Sequence, residues 1–406
     1  MNVEKKNYKE FFKKDRLEKI VYFSFLIFLS LLYLSNRNIA AKFYYITSSF
    51  VLIYIFFTYK NIIKLVKNRI GLSCISIISY SLISSFFING IEYLYIKSSI
   101  RVFLFIAASI LFFRNEKDIN CALKIILVFT VLGSFPDLYD FFISGNYQNG
   151  TPLGQGSKYL WHIYAGGIYA ISAMVSFYLF FTSKDNKIKL IYLIFFIYLS
   201  SLVYLSQSRA AILCYFLAIM LYLVLSRNIN LKYVFITLAT FSILGWVVNF
   251  WVFKFSTLLE RKDAGRFAIW DKSLDIIMDK IIFGHGLGAD FKFYHGKLII
   301  TEPHNLYLYA LFTGGLICLV LLMLLYWMAI KAIYCNWNFE TGPFLSSILL
   351  FIIIFNFFDS RKIVDDIGVG WPLFWVPVGI IAAYSSVCEV RKNIHTTVVD
   401  TTQPPV

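Results

Sequence analysis

Three residues of this chain combine a reactive type with a telling position: Arg209, Arg266 and His304. Arg209 stands in Ser206-Gln207-Ser208-Arg209-Ala210-Ala211, a short polar turn between two apolar runs. A guanidinium there is costly if it faces hydrocarbon, so it must line a cavity or snorkel outward. The neighbouring serines and glutamine add donors, and Ala210 and Ala211 permit close helix approach, so the turn suits a phosphate oxygen. The plainer alternative is a turn residue that snorkels and nothing more. Arg266 follows Gly265 and opens a helical pattern, where backbone N–H groups and the guanidinium converge on one anion; its alternative is a solvated arginine. His304 follows Pro303 and begins a long apolar run. An imidazole with a near-neutral pKa at the dry end of a helix takes a proton from a hydroxyl nucleophile. Asn305 is placed to orient that ring or a sugar, and Glu302 to serve as an auxiliary carboxylate; a merely structural interface histidine is the alternative.

Two more clusters carry charge toward the same side. Lys97 and Arg101 are four residues apart, so one helix face presents both to one cavity. The segment Asp359 to Asp366 mixes Arg361 with three carboxylates. For each, charge that simply anchors a helix end is the alternative. Asp271, Asp275 and Asp279 read as a solvated helix face, and His285 and His295 as ordinary loop residues. The glycines of Phe283-Gly284-His285-Gly286-Leu287-Gly288 allow close turns but have the wrong setting for a nucleotide loop. No Cys or His spacing indicates a metal.

The elements that must position these residues follow from composition. With 59% hydrophobic, 19% aromatic and 15% charged residues over 406 positions, the chain belongs in lipid. A span needs about 20 mostly apolar residues, and twelve runs qualify: 19–36, 40–59, 70–90, 97–113, 122–143, 159–183, 190–207, 210–226, 233–253, 304–330, 342–358 and 370–388. Their Phe, Ile and Leu content and their length make them helices, giving an all-α polytopic membrane protein. Four regions result: nine spans over 1–253, a polar loop over 254–303, three spans over 304–388 and a tail over 389–406.

Lys5, Lys6, Lys9, Lys13, Lys14, Arg16 and Lys19 crowd the N-terminal segment, which places that end in the cytoplasm by the positive-inside rule. The long loop then faces outward and both termini face inward. The basic N-terminal segment lacks a following cleavage site and reads as a topogenic anchor attracted to anionic membrane lipids, not as a signal peptide or a nucleic-acid arm. The net charge of +15 is mostly that orientation signal. The six cysteines fall at cytoplasmic ends or within spans and read as thiols rather than a disulfide framework. In the loop, Phe267, Trp270, Leu274, Ile277 and Ile281 recur at helical spacing, which predicts an amphipathic helix along the outer membrane surface, ended by Gly284.

The ordered set Ser206 to Ala211, then Gly265 to Trp270, then Phe283 to Gly288, then Pro303-His304-Asn305 opening a span resembles the O-antigen ligase and polymerase superfamily of bacterial inner membranes. The resemblance runs chiefly from Leu205 to Leu316. It implies transfer of a glycan from an undecaprenyl-diphosphate-linked O-antigen to a sugar acceptor on the periplasmic side, with no metal or other cofactor. By that likeness Arg209 and Arg266 hold the diphosphate and His304 activates the acceptor hydroxyl. From their positions alone, Arg101, Lys97, Asn305 and Arg361 are further substrate-binding candidates. Ala210 departs from the glycine that many members carry, and the segment Asp359 to Asp366 is loosely similar to a charged last outer loop of enterobacterial ligases. One dominant outer loop favours a ligase with lipid A-core oligosaccharide as acceptor. The alternative is a polymerase joining lipid-linked repeats, although no arginine here is followed eleven residues later by glycine. A protein-glycosylating transferase belongs to the same group. A transporter of an anionic lipid-linked substrate is the reading from another class, and the absence of an internal repeat counts against it.

Overall fold

The structure is a computed structural model that describes residues 2–34, 37–57, 65, 67–90, 92–144, 151–155, 161–226, 265–296, 298–337, 340–359 and 362–387. In chain order its helices are α1 (Asn2–Leu34), α2 (Arg37–Phe57), α3 (Arg69–Asn89), α4 (Tyr93–Phe112), α5 (Glu116–Ile143), α6 (His162–Thr182), α7 (Asn186–Leu205), α8 (Arg209–Leu225), α9 (Arg266–Met278), α10 (Leu306–Tyr334), α11 (Thr341–Phe358) and α12 (Trp371–Val387). Among the described residues, nine of these are long and apolar enough to cross a bilayer, while α8 and α12 are shorter apolar helices. The chain is an all-α polytopic membrane protein. The expected span at 233–253, together with Arg361 and Cys388, lies outside the described residues. No disulfide joins the described cysteines.

Helix starts follow local capping chemistry more than hydropathy. The Asn115 side chain accepts from the backbone N–H of Asp118 at 2.9 Å, so α5 begins at Glu116, six residues before the apolar run expected at 122. Without a side-chain cap, α4 still begins at Tyr93 and not at 97, which moves Lys97 and Arg101 from the end of a helix to about one and two turns inside it. Hydropathy cuts a helix at its first charges. The backbone ladder does not.

The centre of the bundle is α6, whose small residues let neighbours approach. A Cβ on Gly167 would stand 2.8 Å from Leu373 and 2.9 Å from Phe355, and one on Gly166 would collide with the Ser206 side chain. In lipid, helices associate through such close packing and through interhelical hydrogen bonds. Here the latter include Thr130 with Ser172 at 2.8 Å and Ser134 with Tyr198 at 2.7 Å, joining α5 to α6 and α7.

The run from 304 to 330 predicted one continuous helix, and the structure breaks it. Within α10, Gly315 adopts φ 63° and ψ −162°, a conformation open in practice only to glycine. The segment after α9 crosses this break backbone to backbone. His285 N–H donates to the Phe312 carbonyl at 2.7 Å, Gly286 N–H to the Thr313 carbonyl at 2.9 Å, and Leu316 N–H to the Ile281 carbonyl at 2.8 Å. A Cβ on Gly315 would sit inside the Ile282 carbonyl group. Tyr80 and Ser84 of α3 close the crossing by donating to the carbonyls of Gly314 at 2.9 Å and Phe283 at 3.0 Å. Interrupted helix at membrane depth is tolerated where such partners satisfy the freed backbone. Gly284 of the Phe283 to Gly288 segment therefore serves packing, since its added Cβ would stand 2.5 Å from the Gly315 nitrogen.

This crossing also corrects the loop. The amphipathic helix α9 stops at Met278, short of Gly284, and a two-stranded hairpin follows in which β1 (Phe293–His295) pairs antiparallel with β2 (Leu298–Ile300). The buried face of α9 is Ile269, Ser273 and Ile277, whereas Phe267, Leu274 and Ile281 of the expected stripe are exposed. The inner face is thus set by contact with α10, and the expected stripe mixes two faces. The exposed apolar side is the one left for an interface with lipid.

Replacing Gly315 by alanine should lower the yield and thermal midpoint of the detergent-solubilised protein, at a cost of roughly 1–3 kcal/mol from backbone strain alone. Alanine at Gly370, where φ is −70° and no atom lies within 4 Å of an added Cβ, should be neutral. Equal thermal midpoints for the two variants would contradict the crossing.

Candidate active site

Three expected residues each sit at the beginning of a helix. Arg209 is the first residue of α8, Arg266 the first of α9, and His304 directly precedes Asn305, the N-cap of α10. The turn before α8 is only three residues long, so Gln207 takes φ 51° to end α7, and the Ser208 hydroxyl caps α8 by accepting from Ala211 N–H at 3.2 Å. Gly265 takes φ 75° before Arg266. His304 also takes φ 51°; among the described residues, it and Gln207 are the two non-glycine positions with positive φ. Left-handed backbone at a non-glycine residue is strained, and such strain collects at functional sites.

Asn305 has a defined task. Its side-chain oxygen accepts from the N–H groups of Tyr307 at 2.9 Å and Leu308 at 3.2 Å, and the residue is 2% exposed. It fixes the start of α10 and thereby the place of His304. The side-chain oxygen of this residue, which was expected to orient the ring or a sugar, is thus taken up by the backbone of α10.

A residue that sequence reasoning left unassigned joins two of the three. Asp359, the C-cap of α11, is 3% exposed. One of its oxygens lies 3.5 Å from His304 Nδ1 and 3.4 Å from the Tyr164 hydroxyl of α6, and the other lies 3.8 Å from an Arg266 terminal nitrogen. These distances are ionic more than tightly hydrogen-bonded. A carboxylate at a helix C-terminus is disfavoured by the helix dipole, and a buried one is costly without compensation. Arg266 and His304 supply that compensation. The signal was present in the sequence as the first charge after the uncharged run of α11, but nothing there showed what it faced.

Arg209 reaches this end of the bundle through α6. Gly166 packs against Ser206 and stands, by its added Cβ, 3.2 Å from Ala211, while Tyr164 two residues earlier touches Asp359 and Gly167 meets Phe355 one turn before it. The first turns of α6 are thus held between the Arg209 turn and the end of α11. Arg209 itself is exposed.

Lys97 and Arg101 belong to a second cluster. Arg101 is 4% exposed, forms an ion pair with Asp366 and lies over the Tyr45 ring at 4.4 Å, with the Lys97 ammonium 5.4 Å from the same ring. The two clusters expected separately, on α4 and in the segment after α11, are therefore one assembly. Asp271, Asp275 and Asp279 are exposed, with Lys272 bridging to Asp275 at 2.9 Å, as a solvated face requires. His285 stacks on Phe312 at 4.8 Å between centroids and places Nε2 3.0 Å from the Ile276 carbonyl, a packing role.

The electrostatics of His304 follow from these contacts. Asp359 raises its pKa above the usual histidine value, with a smaller push from Glu302, while burial and Arg266 oppose. The Nδ1 proton is the one that faces Asp359, which leaves Nε2 as the proton acceptor when the ring is neutral. The sign has two consequences. Stability from the pair is complete below the ordinary histidine value and lost as pH rises through the raised one. Proton acceptance by Nε2 becomes available over that same rise. In protein labelled at histidine carbons, the resonance that disappears in His304→Gln should titrate above 6.5, the unperturbed value, and Asp359→Asn should move that midpoint down. An unchanged midpoint in Asp359→Asn would remove the carboxylate from control of the ring.

Residues 194–323 match the family model described as O-antigen ligase, a segment that includes the Arg209 turn, Arg266, His304 and the break at Gly315, and leaves Tyr164 and Asp359 outside. No curated protein matches the chain. Members of this family are glycosyltransferase-like enzymes acting on lipid-linked polysaccharide, and residues 194–323 of this chain are similar to their O-antigen ligase domain.

Proposed function

We propose that the protein is an O-antigen ligase of the bacterial inner membrane, transferring an undecaprenyl-diphosphate-linked polysaccharide to a sugar of lipid A-core oligosaccharide at its periplasmic face. The observation that supports this reading is the buried carboxylate of Asp359, which lies between Arg266 and His304 at one end of the bundle.

The chemistry needs two things from the protein. Diphosphate leaves readily once its growing negative charge is neutralised, and arginine does this with planar, permanently charged donors. Arg266 turns one edge of its guanidinium to Asp359 and has further N–H groups for phosphate oxygens. Arg209 adds a second guanidinium, and both arginines begin helices whose free N–H groups favour anions. The acceptor hydroxyl oxygen then attacks the anomeric carbon as the bond from that carbon to the phosphate oxygen breaks. The hydroxyl proton passes to His304 Nε2, and the diphosphate departs with the bonding pair. A single displacement inverts the anomeric configuration, and no metal enters this scheme. Asp359 contributes by holding the imidazole orientation and stabilising its protonated form.

Alanine at Arg209, Arg266 or His304 should each reduce transfer by about a hundredfold or more while the protein remains inserted, since lost electrostatic or proton-transfer contacts in such sites have that size. Lipopolysaccharide from a deletion strain carrying each variant is the direct readout. Loss of all capped molecules supports the ligase, a residual single-repeat cap supports a polymerase, and full capping with all three variants overturns the site.

A further inference from the structure

The second cluster is built differently from a helix-end anchor. Arg101 lies eight residues into α4, about 12 Å from its start at ~1.5 Å per residue, and is 4% exposed. Its Nε is buried without a hydrogen-bond partner. Beside it the surface is apolar and open: Leu94, Ile100 and Ile46 are 59%, 48% and 51% exposed. A guanidinium at this depth is costly unless an anion compensates it. Asp366 compensates it from a loop, with its own side chain 46% exposed and so accessible to replacement.

We propose that Lys97 and Arg101 form a second anion site, for a phosphate carried by a lipid, and that Asp366 occupies it as an internal substitute. Phosphate offers more charge and more acceptor oxygens than a carboxylate, so it can meet Arg101 Nε, Arg101 Nη1 and Lys97 together. The exposed apolar residues beside the cluster receive the acyl chains. Lys362, whose ammonium lies 5.7 Å from the Tyr95 ring centroid on the same helix, adds positive charge from the Asp366 loop. The phosphate belongs to the acceptor glycolipid or to a bilayer phospholipid; naming the acceptor rests on the ligase reading, and the site itself does not.

The test uses the full chain in phosphatidylcholine nanodiscs, with bound lipid counted by native mass spectrometry and thermal midpoints recorded in parallel. The probes are lipid A-core oligosaccharide, the same glycolipid after dephosphorylation, phosphatidylglycerol and inorganic phosphate. The phosphorylated glycolipid should bind best and lose affinity about tenfold in Lys97→Gln, the scale of one charge-assisted contact. Asp366→Asn should bind it severalfold more tightly, because a competitor is gone. A tie that is only structural predicts the reverse, with Asp366→Asn losing thermal stability and gaining no lipid. Equal binding of phosphatidylglycerol would retain the site and assign it to bilayer phospholipid. Equal binding of the dephosphorylated glycolipid, or no response to either substitution, would overturn the site. Because the readout is binding without transfer, these outcomes stand apart from the fate of Arg209 and His304 in the transfer assay.

Discussion

A carboxylate buried at the end of an apolar helix must be compensated, and the candidate active site of this protein is organised by how that is done. Asp359 sits at the C-terminus of α11, where the helix dipole already opposes a negative charge. Leaving it unpaired would be strongly destabilising. The compensation comes from two distant parts of the chain, Arg266 at the start of α9 and His304 before α10, with the Tyr164 hydroxyl from α6 as a third contact. One acidic group thereby fixes the spacing between the Arg266 guanidinium and the His304 imidazole.

The arginines are also placed against their helices. A cation at a helix N-terminus meets the positive end of the dipole, so Arg209 and Arg266 concentrate positive potential where stability alone would prefer an acid. His304 and Gln207 add left-handed backbone. Several local preferences are overridden at one end of the bundle, and the common result is a region suited to a multiply charged anion. Rigid support is what such a region requires. The crossing of Gly284 and Gly315, with α3 closing it, supplies this by fixing the segment after α9 against α10. The positions of Arg266 and His304 thus depend on glycines far from the chemistry.

Much of this was legible in the residues. Uninterrupted apolar runs reveal spans because lipid forces helices; Arg209 and His304 are visible as polar types at span boundaries, and Arg266 as the residue that opens the helical pattern of the loop. The break in α10 was not, because Gly314-Gly315 looks like ordinary small-residue packing until another backbone is seen to cross there. The buried face of α9 was misread for a related reason: periodicity finds an apolar stripe but cannot choose between lipid and protein as its partner. Asp359 escaped because a pairing between residues separated by more than fifty positions leaves no local pattern. The union of Arg101 with Asp366 was hidden in the same way, each having been read as charge at a separate helix end.

The sharing of Asp359 is tested most directly by a double-substitution cycle on transfer rate in proteoliposomes, using Asp359→Asn and Arg266→Lys singly and together. Groups held by one carboxylate act as a unit, so the combined variant should lose little more than the worse single variant. Losses that multiply would show that Asp359 and Arg266 act independently, and would contradict a site organised around one buried acid.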